Sequence, residues 1–176
     1  MGENMDKFIP DMYQKSIYAI DYKKLKKRNI KCLLFDLDNT LVPYTEGVPS
    51  TDVKELFHML ENDFKVIIFS NSGKKRLTPF KEILNVDTAF SSRKPMKKKY
   101  FKIMKLYGFE ANQIACIGDQ IMTDIFGANR VGCVSILINP IGSQEPPWTR
   151  FNRIWEKMVL KRLTKKGLFE KGKYYE

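Results

Sequence analysis

Short, unbroken apolar runs that end at polar residues constrain this chain more than any other feature. Residues 32–35 form one, ending at Asp36, and residues 66–69 a second, ending at Ser70. Residues 86–90 form a weaker third, residues 114–117 a fourth ending at Gly118 and Asp119, and residues 134–138 the last, ending at Asn139 and Pro140. Apolar runs without alternation suit strands covered on both faces, as in a parallel sheet. Helical spacing fills the intervals. Thr51 or Asp52 can cap a helix carrying Val53, Leu56, Phe57 and Leu60 on one side. Further helices are predicted over 74–84, with Pro79 near the start or at a kink, over 95–107, stopped by Gly108, over 121–130 and over 149–163. A helical stretch is also expected before the first strand, around 12–20 and 23–28. The pattern predicts an α/β fold: one domain over residues 1–176, a parallel sheet with helices on both faces, an N-terminal helical extension over 1–30, and a basic amphipathic helix and tail over 149–176.

In an open parallel sheet the functional crevice lies outside the carboxyl ends of the strands. Asp36 and Asp38 follow the first run, Ser70 and Asn71 the second, and Asp119 and Asp124 the fourth, so these separated residues should converge. Residues two apart along an extended segment point the same way. Two carboxylates so placed repel unless a proton or cation lies between them. A hard divalent cation with oxygen ligands answers that repulsion, and magnesium is the usual choice beside phosphate. By themselves, Asp36-Leu37-Asp38-Asn39 could equally form a turn; the other segments favour a site. The single histidine, His58, lies in the predicted 51–60 helix, away from every such segment, and reads as helix surface.

Hydrophobic residues make up 43% of the chain, enough for a real core at this length. Cys32, Cys116 and Cys133 are odd in number and form no C-x-x-C pair, so they read as core residues in a reducing compartment. No secretory pattern or membrane-spanning run is visible, which predicts a cytoplasmic chain, at most peripheral to a membrane. The formal net charge of +11 favours polyanionic partners. It is clustered at Lys23–Lys31, among residues 93–105, and in residues 150–176, which carry nine basic and three acidic side chains.

Residues 35–42, Phe-Asp-Leu-Asp-Asn-Thr-Leu-Val, resemble the first motif of the haloacid dehalogenase (HAD) type phosphatases. Ser70-Asn71 is similar to their second motif, Lys94 in Ser92-Arg93-Lys94-Pro95 to the third, and Gly118-Asp119 with Thr123-Asp124 to the fourth. Order and spacing agree from about residue 30 to 140. Ile9-Pro10, Ser16-Ile17, Asn129-Arg130 and Arg150-Phe151-Asn152-Arg153 further resemble the IIIA subgroup of YqeG type, which includes phosphatidylglycerophosphate phosphatases. Ala128-Asn129 follows Gly127 where a second Gly is expected.

The resemblance implies a Rossmann-like core and a magnesium-dependent phosphomonoesterase working through an aspartyl-phosphate. Asp36 would be the nucleophile and Asp38 the general acid and base. Magnesium would be held by the Asp36 side chain, the Asp38 backbone carbonyl, Asp119 and Asp124. Ser70, the Asn71 N–H and Lys94 would bind the phosphoryl group. Thr40 is either a hydroxyl beside the phosphate or the start of the next turn.

Neither the 38–70 nor the 71–94 interval has room for a folded cap, so the site is expected to be open and to accept a phosphate displayed on something large. A lipid headgroup such as that of phosphatidylglycerophosphate is the leading substrate. A soluble phosphate ester or phosphoprotein is the alternative of the same chemistry, and a non-catalytic nucleic-acid binder, disfavoured by the intact motifs, the alternative of another class. Oligomeric state is not legible. In the last helix Phe151, Ile154, Trp155, Met158 and Leu163 share a face opposite Arg150, Arg153, Lys157 and Lys161. That face can lie on an anionic bilayer, pack on the domain, or do both. Residues 164–176 read as a tail that could be disordered.

Overall fold

The computed structural model describes residues 5–145 and 149–176; within the last helix the side chains of Arg150 and Phe151 lie outside the described residues, and so do the expectations placed on them. Six parallel strands run β1 (Met12–Gln14), β2 (Cys32–Phe35), β3 (Lys65–Phe69), β4 (Asp87–Ala89), β5 (Ile114–Gly118) and β6 (Val134–Ile138), in the spatial order β1-β6-β5-β2-β3-β4. The helices are α1 (Tyr22–Lys27), α2 (Thr51–Leu60), α3 (Lys74–Leu84), α4 (Lys98–Tyr107), α5 (Phe126–Val131) and α6 (Thr149–Lys165).

Both faces of the sheet are dry. In β2, Leu33 and Phe35 face one core with Phe57, Leu77 and Phe80 of α2 and α3. Cys32 and Leu34 face the opposite core with Tyr100 and Ile103 of α4. The same alternation repeats in β3, with Val66 and Ile68 on one side and Ile67 and Phe69 on the other. This is why those sequences read as unbroken apolar runs. All three cysteines are buried and free, and His58 is exposed on α2.

The chain builds outward from β2 to β3 and β4, then crosses back to β5 on the other side of β2. Strand order therefore reverses between β2 and β5, where a crevice opens at the carboxyl ends. Asp36 follows β2 there, and Asp119 follows β5.

Four local expectations are corrected. Residues 12–14 are not helical: they form edge strand β1, paired with β6 through Met12↔Ile136, and only residues 17–19 and α1 are helical in that region. The cap of α2 is Ser50, whose hydroxyl accepts from the Val53 N–H. Helix α4 starts at Lys98 rather than 95, because residues 92–95 are strapped against Asn71. The predicted 121–130 helix opens with a π-helical turn over Ile121–Ile125.

Helix α6 packs on the domain. Val159 and Leu163 are buried with Tyr13, Ile121, Ile125, Leu137 and Phe169. Ile154, Trp155 and Met158 stay exposed, so the predicted apolar face is divided between core and surface. Nor is the segment after α6 loose. Phe169 is buried, and Tyr175 exchanges backbone hydrogen bonds with Tyr13 of β1, covering an otherwise open sheet edge. Asn129 donates to the carbonyls of Lys7 and Ile9 and ties down the N-terminal segment.

Candidate active site

The turn after β2 is built around Asn39, whose left-handed φ of 64° an asparagine tolerates. Its side-chain oxygen accepts from the Tyr44 N–H and its amide donates to the Gln144 carbonyl. The turn brings Asp36 and Asp38 into one small cavity with Ser70, Asn71, Lys94 and Gln120. Sequence-distant residues thus converge as expected. Thr149 and Asn152 at the start of α6 also line this cavity, so the site is less open than the missing cap predicted: the C-terminal segment covers part of it.

Carboxylate oxygens of Asp36, Asp119 and Asp124 come within 4.8 Å of one another, and all three residues are buried. Asp124 reaches this position because β5 ends at Gly118. A Cβ there would lie 2.3 Å from the Asp124 carboxyl carbon, so a larger residue would evict it. The Lys94 ammonium donates to Asp36 at 2.7 Å and to Asp124 at 2.6 Å. Burial by itself would lower the Lys94 pKa, but Asp124 and Asp36 outweigh it and hold the ammonium above its ordinary value. Lys94, together with an Arg153 guanidinium that Asp119 shares with Glu145 and Glu156, leaves the three carboxylates short of full neutralisation. Burial pushes Asp36 well above the usual carboxylate range despite Lys94, with Asp124 adding repulsion. Burial pushes Asp119 up to about 8 against the opposing pull of Arg153, with Asp124 and Asp36 raising it further. Incompletely neutralised oxygen donors gathered this closely fit a hard divalent cation.

Asp38 lies apart from that trio. One carboxylate oxygen accepts from the Ser72 hydroxyl at 2.5 Å, and the other meets Arg76 Nε at 3.0 Å and Nη2 at 2.9 Å. Its side chain is therefore not a member of the cation cluster. Thr40 is fully buried and its hydroxyl donates to Asp119 at 3.3 Å, so it supports a carboxylate rather than lining the cavity. Asn71 uses its side chain to clip the Lys94 loop, accepting from the Ser92 hydroxyl at 2.8 Å and the Lys94 N–H at 2.7 Å.

The sequence reading missed three participants. Arg76 of α3 holds Asp38. Ser72, two residues beyond Ser70, holds its other oxygen. Arg153 belongs in sequence to the basic face of α6, yet it donates to Asp119 at 2.6 Å and to Glu145 and Glu156 at 2.5 and 2.9 Å. Nothing local distinguishes Arg153 from the neighbouring α6 bases; only the motif containing it hinted at more.

Known proteins resemble this chain in sequence and in fold. The family model described as mitochondrial PGP phosphatase matches residues 2–141. "Probable phosphatase YqeG" of Bacillus subtilis is 38% identical over 161 residues, covering 91% of this chain and 94% of that protein. "Phosphatidylglycerophosphate phosphatase 1, chloroplastic/mitochondrial" of Arabidopsis thaliana is 29% identical over 178 residues; the match covers 91% of this chain but 49% of the plant protein. Among solved structures, the cobalt-bound deoxy-D-mannose-octulosonate 8-phosphate phosphatase of Haemophilus influenzae shares the fold, with a TM-score of 0.50 at 20% identity over 82% of this chain and 95% of that one. The magnesium-bound HAD hydrolase YfnB of Bacillus subtilis does so with a TM-score of 0.50 at 17% identity, covering 68% of this chain and 91% of that one. With the acidic trio, its lysine and the parallel sheet that presents them, these matches establish that the chain belongs to the mitochondrial PGP phosphatase family and is a HAD-type phosphatase of YqeG kind.

Proposed function

We propose that the chain is a magnesium-dependent phosphomonoesterase that removes the terminal phosphate of phosphatidylglycerophosphate through a phosphorylated Asp36. The observation that carries this reading is the meeting of Asp36, Asp119 and Asp124 at the strand-order reversal, with the Lys94 ammonium on two of them, Asp36 and Asp124. Asp36, Asp119, Asp124 and the Asp38 carbonyl would hold the cation. When bound, it offsets repulsion between the nucleophile and the phosphate dianion and orients the phosphoryl oxygens.

An Asp36 carboxylate oxygen attacks phosphorus in line. The P–O bond to the glycerol breaks, and Asp38 supplies the proton that the departing alkoxide needs. Asp38 must first turn from Arg76 and Ser72 toward the leaving oxygen. Water then attacks phosphorus, Asp38 takes its proton, and the Asp36–phosphorus bond breaks, releasing inorganic phosphate and restoring both carboxyl groups. Ser70 and the Asn71 N–H bind the phosphoryl oxygens, and Lys94 offsets charge on Asp36 and on the group in transfer.

Two things support the lipid substrate. The named relatives include phosphatidylglycerophosphate phosphatases. The intervals between the motifs hold only α2 and β3, or α3 and β4, leaving no inserted cap to enclose a small metabolite. Among the described residues no helix is long and apolar enough to cross a membrane, so such a lipid would be met at a bilayer surface. The test is magnesium-dependent phosphate release from phosphatidylglycerophosphate in detergent micelles, set against sugar phosphates, nucleotides and phosphopeptides. A kcat/KM at least tenfold higher on the lipid is expected. A soluble ester turned over faster would reassign the substrate.

A further inference from the structure

A basic groove begins one residue from Lys94. Ser91, Arg93, Met96, Lys98, Phe101 and Lys102 line most of a cavity of about 710 Å³ on the outer face of α4, with Lys105 at its far end. Tyr100 and Ile103 turn inward to the core, so residues 98, 101, 102 and 105 form the outward stripe. The apolar members are large and exposed: Met96 at 60% and Phe101 at 52%. Arg93, Lys98, Lys102 and Lys105 are exposed, and none of them forms a salt bridge among the described residues. Residues 91–109 contain no acidic side chain. The Lys99 pKa is lowered by partial burial and then by Lys102 and Arg93, as expected where positive charge is crowded without counter-ions.

This surface is held rigidly to the catalytic crevice. The segment that carries Arg93 and Met96 also carries Lys94, and Asn71 fixes it through Ser92 and the Lys94 N–H. One short segment, residues 91–96, thus serves both places: Lys94 reaches Asp36 in the crevice, and Ser91, Arg93 and Met96 line the groove.

We propose that the α4 groove is the surface by which the protein docks on an anionic phospholipid bilayer, with Arg93, Lys98, Lys102 and Lys105 meeting headgroup phosphates and Met96 and Phe101 entering the interfacial region. The occupant follows from charge complementarity combined with exposed apolar side chains, the combination that favours a bilayer interface. A nucleic acid would use the charge but leave Met96 without a role. The inference deepens the reading of a lipid phosphatase and rests on it, and it moves the membrane-facing surface from α6 to α4. Helix α6 keeps Ile154, Trp155 and Met158 exposed, but it buries Val159 and Leu163 in the domain, commits Arg153 to the crevice and, unlike residues 91–109, carries an acidic side chain, Glu156.

The test is co-sedimentation of the full chain with vesicles of phosphatidylglycerol and phosphatidylcholine, and with phosphatidylcholine alone, at low salt. The wild type is expected to bind the anionic vesicles only. Lys98→Glu/Lys102→Glu/Lys105→Glu should lower that affinity at least tenfold, Phe101→Ser should lower it severalfold, and Lys157→Glu/Lys161→Glu on α6 should leave it unchanged. Turnover of p-nitrophenyl phosphate should stay the same in every variant, which shows that each is folded. Unaltered vesicle binding by the triple variant overturns the proposal. So does a wild type that ignores anionic vesicles but binds single-stranded RNA through these lysines. Failure of the substrate reading shows separately, as absent phosphate release from micellar phosphatidylglycerophosphate, whatever the vesicles do.

Discussion

The Arg153 guanidinium donates to the Asp119 carboxylate at 2.6 Å, joining the last helix to the end of β5 at the cation cluster. Asp119 is fully buried, and Arg153 is shared with Glu145 and Glu156, so the contact would orient Asp119 as the proposed cation ligand without neutralising the crevice. Partners that orient a ligand commonly contribute 10–100-fold in metal affinity. Arg153→Gln is therefore expected to raise the magnesium dissociation constant by roughly that factor, measured by calorimetry, with Arg153→Lys in between. Without metal, Arg153→Gln should also cost about 1–3 kcal/mol of stability by leaving buried acceptors unpaired. Wild-type magnesium affinity in Arg153→Gln would show that the contact is only structural.

Asp36→Asn should lower kcat by about 10⁴-fold or more, because an amide cannot form the acyl phosphate proposed for Asp36. The fold should persist. Removing one carboxylate from a repulsive cluster leaves Lys94 paired with Asp124, so thermal stability without metal should hold or rise. Circular dichroism and phosphate release on the same sample check both halves.

Asp38→Asn separates the two chemical steps. An alkyl phosphate needs a proton donated to its leaving group, whereas p-nitrophenolate leaves without one. The variant should release about one equivalent of p-nitrophenol per site in a burst and then stall, since no base activates water for the second step. A linear trace with wild-type turnover would remove Asp38 from the acid–base role.

Magnesium should stabilise the fold as well as support turnover. A ligand at 100 times its dissociation constant adds about 2.7 kcal/mol to a native state that alone binds it. A thermal scan with and without magnesium should show a rise of several degrees for the wild type and a smaller one for Asp119→Asn. Equal rises in both would place the cation elsewhere.

Asp87 gives a pH signature away from the site. Hydrogen bonds from Lys65 and from the Tyr107 hydroxyl, the latter at 2.7 Å, lower its pKa. The anion is therefore favoured in the folded state. Its contribution is present above about pH 4, the unfolded value, and is lost as the pH falls through the lower folded value. The carboxylate is partly exposed, so screening limits the effect. Asp87→Asn should cost about 0.5 kcal/mol at pH 7 by urea denaturation and nothing near pH 2.

Sequence alone specified what depends on neighbours along the chain. Apolar runs flanked by helical periodicity fixed five of the six strands, since a residue's side of the sheet follows from its parity. Polar residues at strand ends located Asp36, Asp119 and Asp124, because parallel topology sends every such end to one edge. Strand β1 escaped because three residues carry too little period to read, and its strand character comes from pairing with β6. The partners of Asp38 and Asp119 escaped for a related reason. Arg76 lies 38 residues from Asp38, and Arg153 lies 34 from Asp119. An arginine on a helix looks the same in sequence whether it meets water or a buried carboxylate. Only packing α3 and α6 against the sheet chose between those fates, because burial of their apolar faces sets which way each guanidinium points.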